Sequence, residues 1–249
     1  MTVDSSKPLA GRIVLVTGAS RGIGQACALA MAKAGAHVIA AARTQGGLEE
    51  LDDAIFAATG ERATLTPFDL VDGGAIDRLG GAVFERFKRL DVLVHAAAMP
   101  GVLTPVSHMD PRDWAKVMAI NLTASYRLIR SFEPLLKASE AGRAIFFTSG
   151  VVPRPRAFFG AYAATKAGME SLVRCWADEI ENTSVRSAIV NPGPMRTRMR
   201  AEAFPGEDPM TLPPPEEITP LIVDLARADR DPSPKQTIEF SEWKAAQGA

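Results

Sequence analysis

Short apolar runs rich in β-branched residues alternate along this chain with longer stretches in which apolar positions recur every three or four residues. Arg12 to Thr17, His37 to Ala42, Arg62 to Pro67, Asp91 to His95, Ala144 to Thr148 and Val185 to Val190 read as strands. Almost continuous apolar runs of that length suit strands covered on both faces. Gly22 to Ala34 and its counterparts between the later runs read as helices. Strand followed by helix, many times over, predicts an α/β fold. Because crossovers are right-handed, the expected form is a doubly wound parallel sheet of six to seven strands with helices on both faces, and ligands bind at the carboxyl ends of its strands. Gln236 to Phe240 reads as a last strand.

No linker-like stretch divides the chain, so residues 1–249 read as a single domain. The regularity breaks between Arg196 and Pro215, where Pro205, Gly206, Pro209, Pro213, Pro214 and Pro215 fall among charged residues. A long irregular excursion at a strand's carboxyl end is a candidate lid, here about 194–215, with room for a short helix at its start; a solvated insertion is the plainer alternative. Hydrophobic residues at 47% and charged residues at 23% are ordinary for a globular protein. A formal net charge of -1 provides no basic face, which argues against nucleic acid or an anionic membrane as partner. Met1 to Lys7 holds no apolar stretch and no later run approaches a spanning length, so a cytoplasmic protein is expected. Cys27 and Cys175 fall in apolar helix-like stretches and read as small buried hydrophobes. His37, His95 and His108 are scattered, and no metal site is expected.

Chemistry enters with Tyr162 and Lys166. Four residues apart in a helix, they rise from one face on successive turns, so an ammonium can lie beside a phenol and lower its pKa from about 10. Upstream, Thr17-Gly18-Ala19-Ser20-Arg21-Gly22-Ile23-Gly24 follows the first strand and opens the first helix. Glycines allow a sharp turn and close backbone approach, while a helix N-terminus aims N–H groups and partial positive charge at a dinucleotide pyrophosphate. At the end of the second strand Ala42 stands where a ribose-binding carboxylate is usual, and Arg43 follows. With no carboxylate to repel a 2′-phosphate, and Arg43 and Arg21 to clamp it, NADP(H) is favoured over NAD(H).

In order and spacing, these segments resemble the short-chain dehydrogenase/reductases, from about Gly11 to Val190 and beyond. The match includes the glycine segment, Asp69-Leu70, Asn121, Ser149, Tyr162 with Lys166, and Asn191-Pro192-Gly193 with Thr197. The resemblance implies a Rossmann-type fold, with Tyr162 as acid/base and Lys166 lowering its pKa while bonding the nicotinamide ribose. It also implies that Ser149 holds the substrate oxygen and Asn121 positions a water linking Lys166 to solvent. Gly18, Ser20, Arg21, Gly22, Ile23 and Gly24 would cradle the pyrophosphate. Asp69 would bond the adenine amino group, with Leu70 beside the ring. Ala96 and Ala97 would contact the cofactor through their backbone, and Pro192, Gly193 and Thr197 would meet its nicotinamide end. Substrates would be small carbonyl or alcohol compounds, and association as a homodimer or homotetramer is implied. The C-terminal half is similar to a poorly characterised bacterial subgroup of NADP-dependent oxidoreductases.

The chain also departs from that pattern. His95-Ala96-Ala97-Ala98 stands where the family usually has Asn-Asn-Ala-Gly, so His95 either replaces part of the lost hydrogen bonding or is a neutral core residue. Ser241-Glu242-Trp243 replaces the usual Asp-Gly-Gly after the last strand. Arg154 and Arg156, with Phe158 and Phe159, lie just before Tyr162, where they offer an anion-attracting wall or a solvated loop. Trp114, Met118, Leu122 and Tyr126, and Met169, Leu172, Cys175 and Trp176, are core or interface. The alternative to an enzyme is a catalytically silent NADPH sensor that regulates a protein partner.

Overall fold

The computed structural model describes residues 7–231 and 237–248. Its strands are β1 (Ile13–Thr17), β2 (His37–Ala42), β3 (Thr64–Pro67), β4 (Val92–His95), β5 (Arg143–Phe147), β6 (Arg186–Asn191) and β7 (Thr237–Glu239). They form one parallel sheet in the order β3-β2-β1-β4-β5-β6-β7, at the upper end of the expected strand number. Each expected strand forms within about two residues of its expected bounds. The helices are α1 (Gly22–Lys33), α2 (Gln45–Thr59), α3 (Gly73–Phe87), α4 (Pro111–Met118), α5 (Ala124–Lys137), α6 (Gly160–Glu179), α7 (Arg198–Ala203), α8 (Thr219–Leu225) and α9 (Phe240–Gln247).

Alternation along the strands sends side chains to two separate apolar layers. Val14, Val16, Val38 and Val92 pack with Cys27 and Met31 of α1, Leu48 and Leu51 of α2, and Leu221 and Ile222 of α8. Leu15, Ile39, Leu93 and Phe146 pack on the other face with Ile76 of α3, Phe132 of α5, and Met169, Val173 and Trp176 of α6. Period-2 alternation makes this division unavoidable once the strands are buried on both faces. At the amino ends of the strands, away from the site, Asp91 accepts from the Ile13 amide at 2.7 Å and from Ser139 at 2.5 Å, while Arg12 donates to the carbonyls of Asp91 and Ala141.

Three expectations need correction or restriction. Phe240 is not the end of the last strand: β7 stops at Glu239, and Phe240 with Ser241, Glu242 and Trp243 starts α9, its ring stacked on Trp243 at 6.2 Å. Gln236 and residues 1–6 lie outside the described residues. Cys175 is exposed on the outer side of α6, whereas Cys27 is buried, with its thiol pushed up to about 12 by desolvation. An apolar stretch on a two-sided helix does not say which face a given position occupies.

The ambiguous core-or-interface residues also divide. Met169 and Trp176 are core, whereas Trp114 and Tyr126 are 40% and 49% exposed. The 194–215 segment contains α7 and a one-turn helix at Pro209–Thr211. Among the described residues no helix is long and apolar enough to cross a membrane.

Candidate active site

The connections from β1 and β4 run to opposite sides of the sheet, and a crevice opens between the carboxyl ends of these neighbouring strands. The turn after β1 is fitted closely to that place. Gly18 adopts φ +71°, and a Cβ there would come within 2.8 Å of the Ala97 backbone. A Cβ on Gly24 would meet the Gly18 carbonyl oxygen at 2.3 Å. Glycine alone lets the turn, the start of α1 and the loop after β4 approach so closely. Arg21, the residue before α1, is extended and caps the helix with no side chain, so the first-turn N–H groups remain available to an anion. A dinucleotide pyrophosphate fits this cradle.

A cleft of about 560 Å³ runs along the carboxyl ends of the strands. Gly18, Ser20, Arg21, Gly22, Ile23 and Gly24 line it, together with Arg43 after β2, Asp69 and Leu70 after β3, Ala96 and Ala97 after β4, and Thr197. Thr197 also caps α7 by accepting from the Arg200 amide at 3.2 Å. Arg43 reaches within 3.9 Å of Asp69, but both side chains are about half exposed, so water screens the pair and Arg43 is free to meet a bound anion. Lys116, Arg198, Met199 and Glu202 line the same cleft. Sequence reasoning missed these four, and its only signal was the flagged irregular segment that contains the last three.

The expected proton-transfer residues gather at the end of β5. Ser149 follows this strand and lies close enough to Tyr162, in the first turn of α6, to act on its phenol. Lys166, one turn on, is buried, and its Nζ donates to the Phe147 carbonyl at 2.7 Å. Ser149, Tyr162, Lys166, Pro192 and Gly193 do not line the 560 Å³ cleft. Pro192 and Gly193 follow β6, where Gly193 takes φ +68° and its amide donates to Asn191.

The electrostatics differ from the sequence expectation. Burial raises the Tyr162 phenol above its usual value, with the nearby Ser149 acting against it. The Lys166 ammonium is held by the Phe147 carbonyl, 5.8 Å from the Tyr162 ring centroid. Desolvation pushes Lys166 itself down to about 8, opposed by the negative charge of Glu170.

Asn121 lies in a π-helical turn, Ala119–Thr123, that joins α4 to α5. Its amide accepts from the Met99 N–H at 2.9 Å and donates to the Met99 carbonyl at 2.8 Å and to Thr165 at 3.1 Å. Asn121 thus ties the loop after β4 to α6 and is bonded to neither Tyr162 nor Lys166. A π-turn displaces one residue from the helical ladder, and such turns recur at functional sites.

His95 occupies the position of the missing Asn and restores a link between β4 and β1: its Nδ1 lies 2.7 Å from Thr17 Oγ1. The ring is buried edge-on against Phe146 at 5.9 Å, and burial beside Lys166 pushes its pKa down to about 3. The Ala96 amide still bonds the Thr17 carbonyl at 3.3 Å, so the backbone survives the change of sequence. A histidine neutral in the folded state takes up a proton on unfolding. Its contribution to stability is therefore whole above about pH 6.5 and lost as pH falls toward about 3, with a slope near 1.4 kcal/mol per pH unit. His95→Asn should flatten that acid limb in urea unfolding measured at several pH values; an unchanged limb would assign the proton uptake elsewhere.

The irregular segment closes over the loop before α6. Phe204 stacks on Phe159 at 5.7 Å and carries the Arg200 guanidinium 3.6 Å from its ring centroid, while Arg200 forms two hydrogen bonds to Glu207. Arg156 lies 6.0 Å from the same ring centroid, and Arg154 and Phe158 are exposed. Among the described residues no three His, Cys, Asp or Glu side chains gather as metal ligands would.

A glycine turn at the switch point of a seven-stranded parallel sheet, with serine, tyrosine and lysine gathered two strands away, is the architecture of a dinucleotide-dependent oxidoreductase. The chain belongs to the short chain dehydrogenase family, whose family model matches residues 12–208. It is 38% identical over 220 residues to the uncharacterized oxidoreductase YciK of Escherichia coli K12, covering 88% of this chain and 87% of that one. A solved short chain dehydrogenase from Pseudomonas syringae superposes with a TM-score of 0.91 at 38% identity, covering 94% of this chain and 96% of that one. Another from Shigella flexneri, complexed with NADP, has a TM-score of 0.91 at 36% identity, covering 95% of this chain and 99% of that one.

Proposed function

We propose that this protein transfers a hydride between NADP(H) and a carbonyl or secondary alcohol substrate, with Tyr162 as the acid/base. The observation that carries this reading is the convergence of Ser149, Tyr162 and Lys166 at the end of β5, with the Lys166 ammonium held on the Phe147 carbonyl. The nicotinamide supplies the hydride to the carbonyl carbon. Ser149 holds the substrate oxygen, and Tyr162 gives it the phenolic proton as the C=O bond becomes C–OH. Lys166 holds positive charge beneath the site as the phenolate forms. The test is turnover of NADPH by the purified protein with a panel of ketones, 3-oxoacyl thioesters, quinones and sugars. No consumption with any of them, together with partner binding that changes when NADPH is added, would replace the enzyme with a sensor.

The choice of NADP(H) is supported by Ala42 and Arg43 at the end of β2 and by the NADP complex of the Shigella flexneri relative. Arg43→Ala is expected to weaken NADPH binding about tenfold or more, the loss of a charge-assisted bond to a phosphate, and to leave NADH binding unchanged. Calorimetric titration with both cofactors measures this; equal losses for the two would remove Arg43 from the 2′-phosphate. Self-association is proposed through the exposed Trp114 and Tyr126 of α4 and α5, and light scattering that shows a monomer overturns it.

A further inference from the structure

Glu170 is a charged side chain buried to 5% exposure, one turn beyond Lys166 on α6, and the proposed reaction gives it no task. Its Oε1 accepts from the Thr148 hydroxyl at 2.5 Å, and its Oε2 accepts from Arg174 at 2.6 Å. Arg174 also donates to Thr237 of β7 at 3.0 Å. Lys166 donates to the carbonyl of Phe147, the residue next to Thr148. Two successive residues of the chain leaving β5 are therefore gripped by two successive turns of α6, and the next residue is Ser149. A buried carboxylate is costly unless bonded and paired, and this one is held by a hydroxyl and a guanidinium.

We infer that Glu170 is a positioning residue: with Thr148 it fixes α6 against the end of β5, and it sets a negative charge one helical turn from the Lys166 ammonium. The inference rests on the proposed acid/base reading of Tyr162. Both effects act through neighbours, since Glu170 touches Thr148 and Arg174 and leaves the reacting atoms to Ser149 and Tyr162. The groups facing Lys166 are Tyr162 and Glu170 on its own helix and His95 of β4, which burial keeps neutral. Glu170 faces Lys166 and Arg174 on α6, Thr148 beyond β5, and Glu239 of β7. Of the groups facing Lys166, Glu170 is the one whose negative charge opposes its desolvation.

The two roles separate in Thr148→Val, which removes the hydrogen bond and keeps the charge, and in Glu170→Gln, which keeps an acceptor and removes the charge. In the cofactor-free protein labelled with carbon-13 at the lysine Cε, the Lys166 signal, assigned by its loss in Lys166→Met, should titrate near 8. Removing the negative charge destabilises the ammonium, so Glu170→Gln should move that midpoint down by at least about half a unit, while Thr148→Val leaves it in place. In turnover, Thr148→Val should lower kcat about tenfold with KM for NADPH within about twofold, and Thr148→Ser should restore it. An unmoved Lys166 midpoint in Glu170→Gln, or a Thr148→Ser enzyme as slow as Thr148→Val, overturns the inference. The NMR measurement needs no substrate, so it fails or succeeds apart from the acid/base reading, which Tyr162→Phe tests separately.

Discussion

Tyr162→Phe lowers kcat by at least about 100-fold, with NADPH binding kept within about twofold. The substitution removes one oxygen atom and leaves the ring, so packing in the first turn of α6 is preserved. What is lost is the hydroxyl that sits beside Ser149 and is proposed to deliver the proton. General acid/base groups contribute about 10²–10⁴ to rate, and the lower end of that range sets the figure. Ser149 remains to polarise the carbonyl, so residual activity above background is expected. Steady-state kinetics beside a fluorescence titration with NADPH separate the two effects. If kcat were unchanged, the proton would come from another group.

Gly24→Ala should abolish measurable NADPH binding and lower stability by about 1–3 kcal/mol or more. The added methyl would lie 2.3 Å from the Gly18 carbonyl oxygen, 2.8 Å from its carbon and 3.3 Å from the Ala19 amide nitrogen. All three are backbone atoms, which no rotamer change can move aside. To admit the methyl, the start of α1 must move away from the turn, and the cradle of N–H groups loses its shape. Gly81→Ala is the matched comparison. It lies in α3 with nothing within 4 Å of the added carbon, so it should leave NADPH binding alone and raise stability by up to about 1 kcal/mol through helix propensity. Melting temperatures of both variants, with and without NADPH, test the pair; a Gly24→Ala protein that binds NADPH normally would show that the contact relaxes cheaply.

The sheet was readable because buried parallel strands make nearly unbroken apolar runs, a signal that needs no knowledge of neighbours. Ser149, Tyr162 and Lys166 were readable as a set because motif order along the chain reports which strand ends carry them. The direction of the Tyr162 shift was not. Spacing places an ammonium one turn from a phenol, but only the fold reveals that the Phe147 carbonyl holds that ammonium and that the phenol is enclosed. Asn121 shows the same limit. Its helix was visible in the pattern, whereas the π-turn and the Met99 bonds depend on a loop contributed by another strand. Cys175 and Phe240 failed for local reasons, one at a helix face and one at an element boundary, where burial or register shifts with a single residue. Lys116 joins the cleft from a helix that carried no cofactor motif, so nothing local marked it.

The two apolar layers have a consequence for how this molecule can be altered. The residues proposed to select the cofactor lie in the turn into α1 and at the end of β2, whose helices pack on one side of the sheet, while Tyr162, the proposed proton donor, rides on α6, packed on the other. Side chains of one layer face those of the other across the strands. On the proposed roles, nucleotide preference and reaction chemistry are separable traits, open to independent drift in a lineage and to independent redesign in the laboratory, with the strands as the shared chassis.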